Sequence, residues 1–297
     1  MFDCKTKPCG PRKGPSNPCA DISVSLFSSA LLAAGLTAAI MVQDAQAKNE
    51  EKPEIPFKVA KIYFETNGSK CDMGIQIVFD TEGIVSGKFK NPDDRVIHVV
   101  TARNGLKDIG GQTEGFLESV EPVIVELAEA TNGTCEPDPE ELPDAITLDD
   151  IRVQFPAGFY EFEGQAADGT EYDGEAELTY DVPDGPVLQS PNGYVGVDPD
   201  QPVDINWLPV TMTIPGLLPN DAQAPVTIVG YQVLVYDANA GESPQEFNVV
   251  VPGTETSVTV PPQFLQPNTE YEIEVLAIEA SDNQTITEGF FETGSSL

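Results

Sequence analysis

The chain has 297 residues, enough for two domains of about 100–150 residues each. Its 15 Lys+Arg against 49 Asp+Glu give a formal charge of −34, a field that repels phosphate backbones and anionic membrane surfaces, so nucleic acid is not an expected partner. Hydrophobic residues make up 40% of the chain; Val, Ile, Phe and Tyr recur in short runs, which argues against disorder and for strands.

Residues 1–47 read as a signal peptide. Lys5, Lys7, Arg12 and Lys13 precede the uncharged stretch Ile22–Val42, and Ala45-Gln46-Ala47 then offers small residues where a signal peptidase reads. A retained anchor is the competing reading, because an uncharged stretch of this length can span a bilayer. Its many Ser, Ala, Gly and Thr residues favour cleavage after Ala47. The expected location is secreted or periplasmic, with no membrane insertion after cleavage. Of the five cysteines, Cys4, Cys9 and Cys19 lie in the removed segment, leaving Cys71 and Cys135. Two cysteines in an exported chain are expected to form a disulfide. A zinc set is not expected, since His98 is the one histidine.

Residues 48–56 are charged and Pro-containing and read as a flexible lead-in. A first β domain is expected over 57–183, with strands at 57–64, 73–79, 84–89 and 95–101 separated by Asn67-Gly68-Ser69, Asp80-Thr81-Glu82-Gly83 and Lys90-Asn91-Pro92-Asp93-Asp94. The acidic, Pro-rich run 135–144 reads as a solvated loop. One short helix follows: Thr147 caps it, Asp150 completes a capping box, Leu148, Ile151 and Phe155 share a face, and Pro156 ends it. A hairpin is expected next, with strands at 159–165 and 175–180. Asp168-Gly169 and Asp173-Gly174 both read as turn geometry rather than a calcium repeat.

Val182-Pro183-Asp184-Gly185-Pro186 marks a boundary. Beyond it, over 186–295, strands are expected at 203–208, 228–236, 246–251, 256–260, 270–278 and 285–293, the spacing of a β-sandwich. Trp207, Gly230-Tyr231-Gln232-Val233 and the run from Leu265-Gln266-Pro267 through Tyr271 to Val275 resemble fibronectin type III modules over about 110 residues of this chain. The resemblance implies an immunoglobulin-like sandwich in which Trp207, Tyr231 and Leu265 are core residues and Tyr271 forms the tyrosine corner. One departure is the long segment between Trp207 and Tyr231, which implies an enlarged loop. Its Ile214, Leu217 and Leu218 are expected either to form an exposed contact surface or to pack between the domains. Glu65-Thr66-Asn67, Asp72-Met73-Gly74 and Phe155–Gly164 make the first domain similar to a region of uncharacterised secreted bacterial proteins. That resemblance implies architecture and export, and no chemistry.

Few residues suggest catalysis. His98 sits in a β-run, neither G-x-S-x-G nor H-E-x-x-H occurs, and paired cysteines supply no thiolate. With 49 acids, proximity of two carboxylates follows from abundance alone. Glu65, Asn67 and Asp72 flank one turn and form a candidate structural Ca2+ site; the competing reading is a solvated turn, and no other cofactor is expected. Sequons at Asn67, Asn132 and Asn283 read as chance. The fold class expected is all-β: two β-sandwich-like domains in tandem, the second fibronectin type III, with one short helix in the first. The function expected is a secreted, non-catalytic binding or structural module contacting proteins or glycans at the cell surface. The alternatives are a secreted hydrolase using a carboxylate pair and an accessory subunit of a surface assembly.

Overall fold

A computed structural model describes residues 54–130, 135–241 and 245–295. The signal peptide, residues 48–53 of the lead-in and Asn132 lie outside the described residues. Among those described, no helix is long and apolar enough to cross a membrane.

In the N-terminal half the strands are β1 (Ile55–Pro56), β2 (Val59–Asn67), β3 (Asp72–Ile84), β4 (Ser86–Lys90), β5 (Val96–Thr101), β6 (Gln112–Glu118), β7 (Gly158–Gln165) and β8 (Glu171–Leu178). Three short α-helices interrupt them among the described residues, α1 (Gly105–Asp108), α2 (Val125–Ala130) and α3 (Leu148–Gln154), with a single 3-10 turn at Leu142–Asp144. One sheet has the order β1-β8-β7-β4-β5 and faces β2, β3 and β6. The alternation of β2 puts Ile62 and Phe64 opposite Ile77 and Ile75 of β3, all buried, because a strand of period two turns every second residue inward. Phe57 caps this core, edge-on to Phe79, Phe162 and Tyr172 at 6.0–6.3 Å.

Gly174 explains a correction. Asp173-Gly174 lies inside β8 and not in a turn, because Phe57 packs so close that a Cβ on Gly174 would meet its ring carbon at 3.2 Å. The glycine serves close packing, while Asp168-Gly169 sits in the hairpin turn, where Gly169 has φ 82°. In α3 both halves of the capping box are formed between Thr147 and Asp150, and Leu148 and Ile151 are buried. The helices α1 and α2 were not expected from the sequence, being too short for a periodic signal.

The C-terminal half carries β9 (Val187–Ser190), β10 (Tyr194–Val197), β11 (Val203–Leu208), β12 (Ile228–Asp237), β13 (Glu246–Pro252), β14 (Ser257–Val260), β15 (Glu270–Glu279) and β16 (Gln284–Thr293). A three-stranded sheet, β14-β11-β9, packs against β13-β12-β15-β16. Trp207 and Tyr231 are buried with ring centroids 5.2 Å apart. The Tyr231 hydroxyl accepts from Val210 N at 2.9 Å, and that of Tyr271 accepts from Gln266 N at 2.7 Å. The second of these is the tyrosine-corner bond. Leu265 is buried beside it. The fold is therefore all-β, built of sandwich-like sheets, with a fibronectin type III-like arrangement at the C-terminal end.

The two cores share a sheet. Strand β16 runs parallel to β2, matching Gln284 with Glu65, Thr285 with Thr66 and Ile286 with Asn67, while the far end of β16 pairs with β10. The resulting sheet has the order β13-β12-β15-β16-β2-β3-β6, with β10 alongside. Asn283 locks the splice: its Oδ1 accepts from Phe64 N at 2.9 Å, and its Nδ2 donates to Thr179. Fully buried and bonded in this way, Asn283 has no free amide to offer as a sequon.

Candidate functional site

Where β2, β3 and β16 meet, the sheet face carries a group of carboxylates. Glu65 on β2 lies across from Gly74 on β3 and Gln284 on β16. Because Gly74 has no side chain, Glu121 folds over it; a Cβ there would sit 2.7 Å from Glu121 Cγ. The preceding turn is held by Ser119, whose Oγ accepts from Ile75 N at 2.8 Å and donates to Val120 O at 2.9 Å. Glu118, at the end of β6, stands opposite Gln76. One carboxylate oxygen from each of Glu65, Glu118 and Glu121 lies within 4.8 Å of the other two.

Electrostatics follow from this crowding. Glu65 is 9% exposed and accepts a hydrogen bond from Gln284 Nε2. Glu121 Oε1 is buried without a hydrogen-bond partner. Burial pushes the Glu121 carboxyl up to about 8, helped by the charges of Asp72, Glu65 and Glu118. Burial also raises Asp72 to about 7, against the pull of the Asn67 backbone N–H and Lys70. Glu65 is raised as well, by burial first, with the Gln284 hydrogen bond opposing. The cluster can therefore hold protons into the neutral range.

A stability effect with a definite sign follows. In an unfolded chain these acids titrate near 4, so between about pH 4 and pH 8 the folded state binds more protons. Their stabilising contribution is full below about pH 4 and is lost as pH rises through 7 to 8. Urea unfolding should show stability falling by on the order of 2 kcal/mol between about pH 5 and about pH 8.5, after discounting for the partial exposure of both groups, and Glu121→Gln should remove about half of that slope and leave the part carried by Asp72. An unchanged slope in Glu121→Gln would assign the pH dependence to Asp72 and the overall charge instead.

The structure places the sequence candidates as follows. Asn67 Oδ1 accepts from Ser69 N at 2.9 Å, Asn67 Nδ2 donates to Glu288 at 2.6 Å, and Asp72 Oδ1 accepts from Asn67 N at 3.3 Å. Asn67 and Asp72 thus serve the turn, whereas Glu65 joins Glu118 and Glu121, two acids the sequence did not single out among so many. Cys71 and Cys135 are joined, with Cα atoms 5.6 Å apart. His98 stacks on Phe89 at 5.7 Å, and burial lowers its pKa. The exposed-contact reading of the enlarged loop is corrected: Ile214 and Leu217 are 2% and 0% exposed, and Leu218 is half-buried. Arg152 Nη2 donates to Leu217 O at 2.6 Å and Ile214 N donates to Val182 O at 3.0 Å, drawing the loop into the first core.

No family model matches the chain, and no curated protein matches it. Among solved structures, the fn3 domain of the human collagen alpha-1(XX) chain is 18% identical, covering 38% of this chain and 82% of that one, with a TM-score of 0.27. The FN5 domain of Drosophila Lar is 19% identical over 39% of this chain and all of that one, with a TM-score of 0.26. A two-domain fibronectin type III segment of chicken tenascin is 9% identical over 80% and 99%, also with a TM-score of 0.26. These likenesses concern the fold alone.

Proposed function

We propose that the chain is an exported, non-catalytic binding or structural module that contacts proteins or glycans outside the cell. The observation that carries the non-catalytic part is the placement of the acids: Glu65, Gln76 and Glu118 share one sheet face, and Glu118 is exposed on it. One carboxylate oxygen from each of Glu65, Glu118 and Glu121 comes within 4.8 Å of the others, a crowded group of like charges on one sheet face rather than two acids set on either side of a bound sugar. Export is supported by the basic region, apolar stretch and Ala45-Gln46-Ala47 of the sequence, and by the partnership of Cys71 with Cys135.

The test has two arms. Mass spectrometry of protein recovered outside the cytosol should find an N-terminus at Lys48 and Cys71 joined to Cys135. Intact intracellular chain with free thiols would overturn export. In the second arm, the exported protein should retain glycan or surface-protein ligands on arrays while releasing no product from a panel of glycosides. Hydrolysis that disappears in Glu121→Gln would overturn the non-catalytic reading.

A further inference from the structure

Positive charge is distributed unevenly in this molecule. Residues 153–297 hold 24 Asp+Glu and no Lys, Arg or His. Among the described residues there are nine Lys and Arg, and five of them, Lys58, Lys61, Lys70, Lys90 and Arg152, form ion pairs with acids. The other four are Lys88, Arg95, Arg103 and Lys107, all exposed and all within one short stretch of chain. In a chain so rich in acids, four cations without an ion-pair partner are anomalous, and they surround one strand. Arg95 immediately precedes β5, Lys88 sits opposite Val99 of β5, and Arg103 and Lys107 follow it.

Strand β5 is an edge. It pairs with β4 alone among the described residues, so its other side presents unpaired backbone N–H and C=O groups. Val96 and Val99 are 45% and 54% exposed on it, and Phe116 on the neighbouring edge β6 is 61% exposed. A slot of about 230 Å³ lined by Phe89, His98, Val100, Phe116 and Leu117 opens between these two edges. At the far end of the long sheet, β13 is also an edge, paired with β12 alone among the described residues. Its Val250 is 61% exposed, and it is bracketed by exposed Glu246 and Glu255.

We propose that copies of this chain associate head to tail, the β5 edge of one adding to the β13 edge of the next. The two edges match in length: β5 has six residues, and β13 has six with a backbone N–H, since Pro252 ends it. Their brackets match too. Arg95 immediately precedes β5 and Arg103 follows it by two residues, while Glu246 opens β13 and Glu255 closes the turn after Pro252, so in either strand direction each end of the pair sets an arginine beside a glutamate. Pairing β5 with β5, or β13 with β13, would set like charges together, which disfavours a two-fold dimer. Association of unlike edges is heterologous, and it forms rings or open chains. The total charge of −34 opposes approach only weakly at physiological salt, where charges beyond about 8 Å are screened and those in the contact decide.

This inference rests on the module reading and names its partner as a second copy. Sedimentation velocity of the exported protein at physiological salt should show species above monomer that grow with concentration and shrink as salt is raised. Arg95→Glu/Arg103→Glu should sediment as monomer, as should Glu246→Arg/Glu255→Arg, and an equal mixture of the two should regain the larger species. All four substituted residues are exposed, so the melting midpoints should not move. A wild type that is monomeric throughout, or larger species that persist in either variant, would overturn the proposal. A monomer that still captures an array ligand sinks the assembly and leaves the module standing, whereas Glu121-dependent hydrolysis does the reverse.

Discussion

Leu217→Ala should cost about 3 kcal/mol of stability, within the range of 2–5 kcal/mol for deleting a fully buried leucine side chain. Leu217 belongs by sequence to the C-terminal sandwich, between β11 and β12, yet its side chain is 0% exposed within the core of the N-terminal one. The local backbone is shaped for this insertion. Gly216 adopts φ 90°, and a Cβ there would lie 2.6 Å from the Glu126 carbonyl of α2, so only glycine lets the loop pass that close. Arg152 and Val182 then tie down Leu217 and Ile214 through the backbone. With the loop inserted and β16 paired to β2, the two cores should unfold together. Trp207 is the one tryptophan and lies in the second core, so its fluorescence reports that core while far-UV circular dichroism reports both. In urea the two midpoints should coincide and should shift together in Leu217→Ala. A loss below about 1 kcal/mol, or a Trp207 transition that stays in place, would mean that the loop is not held by the first core. Leu218→Ser, at a half-buried position, serves as the mild control.

What the sequence disclosed was local. Strands β11, β12 and β15 were legible because Trp207, Tyr231 and Tyr271 fall at places where a sandwich needs large buried rings, and α3 because a capping box and an apolar face coincide within nine residues. Hairpin β7–β8 was legible from alternation around one Asp-Gly, although the second Asp-Gly misled, since its glycine answers to the Phe57 ring and not to a turn. The β2–β16 splice was not legible. Its partners are 219 residues apart along the chain, and parallel neighbours leave no turn between them to read. The carboxylate cluster escaped for a related reason. Glu118 and Glu121 look like any other acids until β3 supplies Gly74 beneath Glu121 and β2 supplies Glu65 beside both. The enlarged loop gave two readings of equal standing, because Ile214 and Leu217 are equally apolar in a contact surface or a core; only the position of α2 and α3 separates them.

Removing the disulfide should have an effect of similar size, spread over a larger part of the molecule. Cys71 and Cys135 close a loop of 64 residues, for which restriction of the unfolded chain is worth about 4 kcal/mol. The site of closure magnifies the consequence. Cys71 O accepts from Ile124 N at 2.8 Å and Ser69 O from Glu136 N at 2.8 Å, so the same turn that carries the sulfur also anchors the segment leading into α2. On its other side Gly68 N donates to Ile286 O at 2.8 Å, and Ser69 Oγ accepts from Glu288 N at 3.0 Å, which fastens the turn to β16 of the second core. Cys71 itself holds a left-handed φ of 63°, a conformation that disfavours a residue with a Cβ by about 1–2 kcal/mol and that this web of bonds sustains. In Cys71→Ala/Cys135→Ala, therefore, urea unfolding should lose about 2–4 kcal/mol, and amide exchange should accelerate first at 68–72, at 123–128 and along β16 from Ile286 to Glu288. A double variant within about 1 kcal/mol of the wild type, with exchange along β16 unchanged, would show that β2–β16 pairing holds the turn in place without the covalent link.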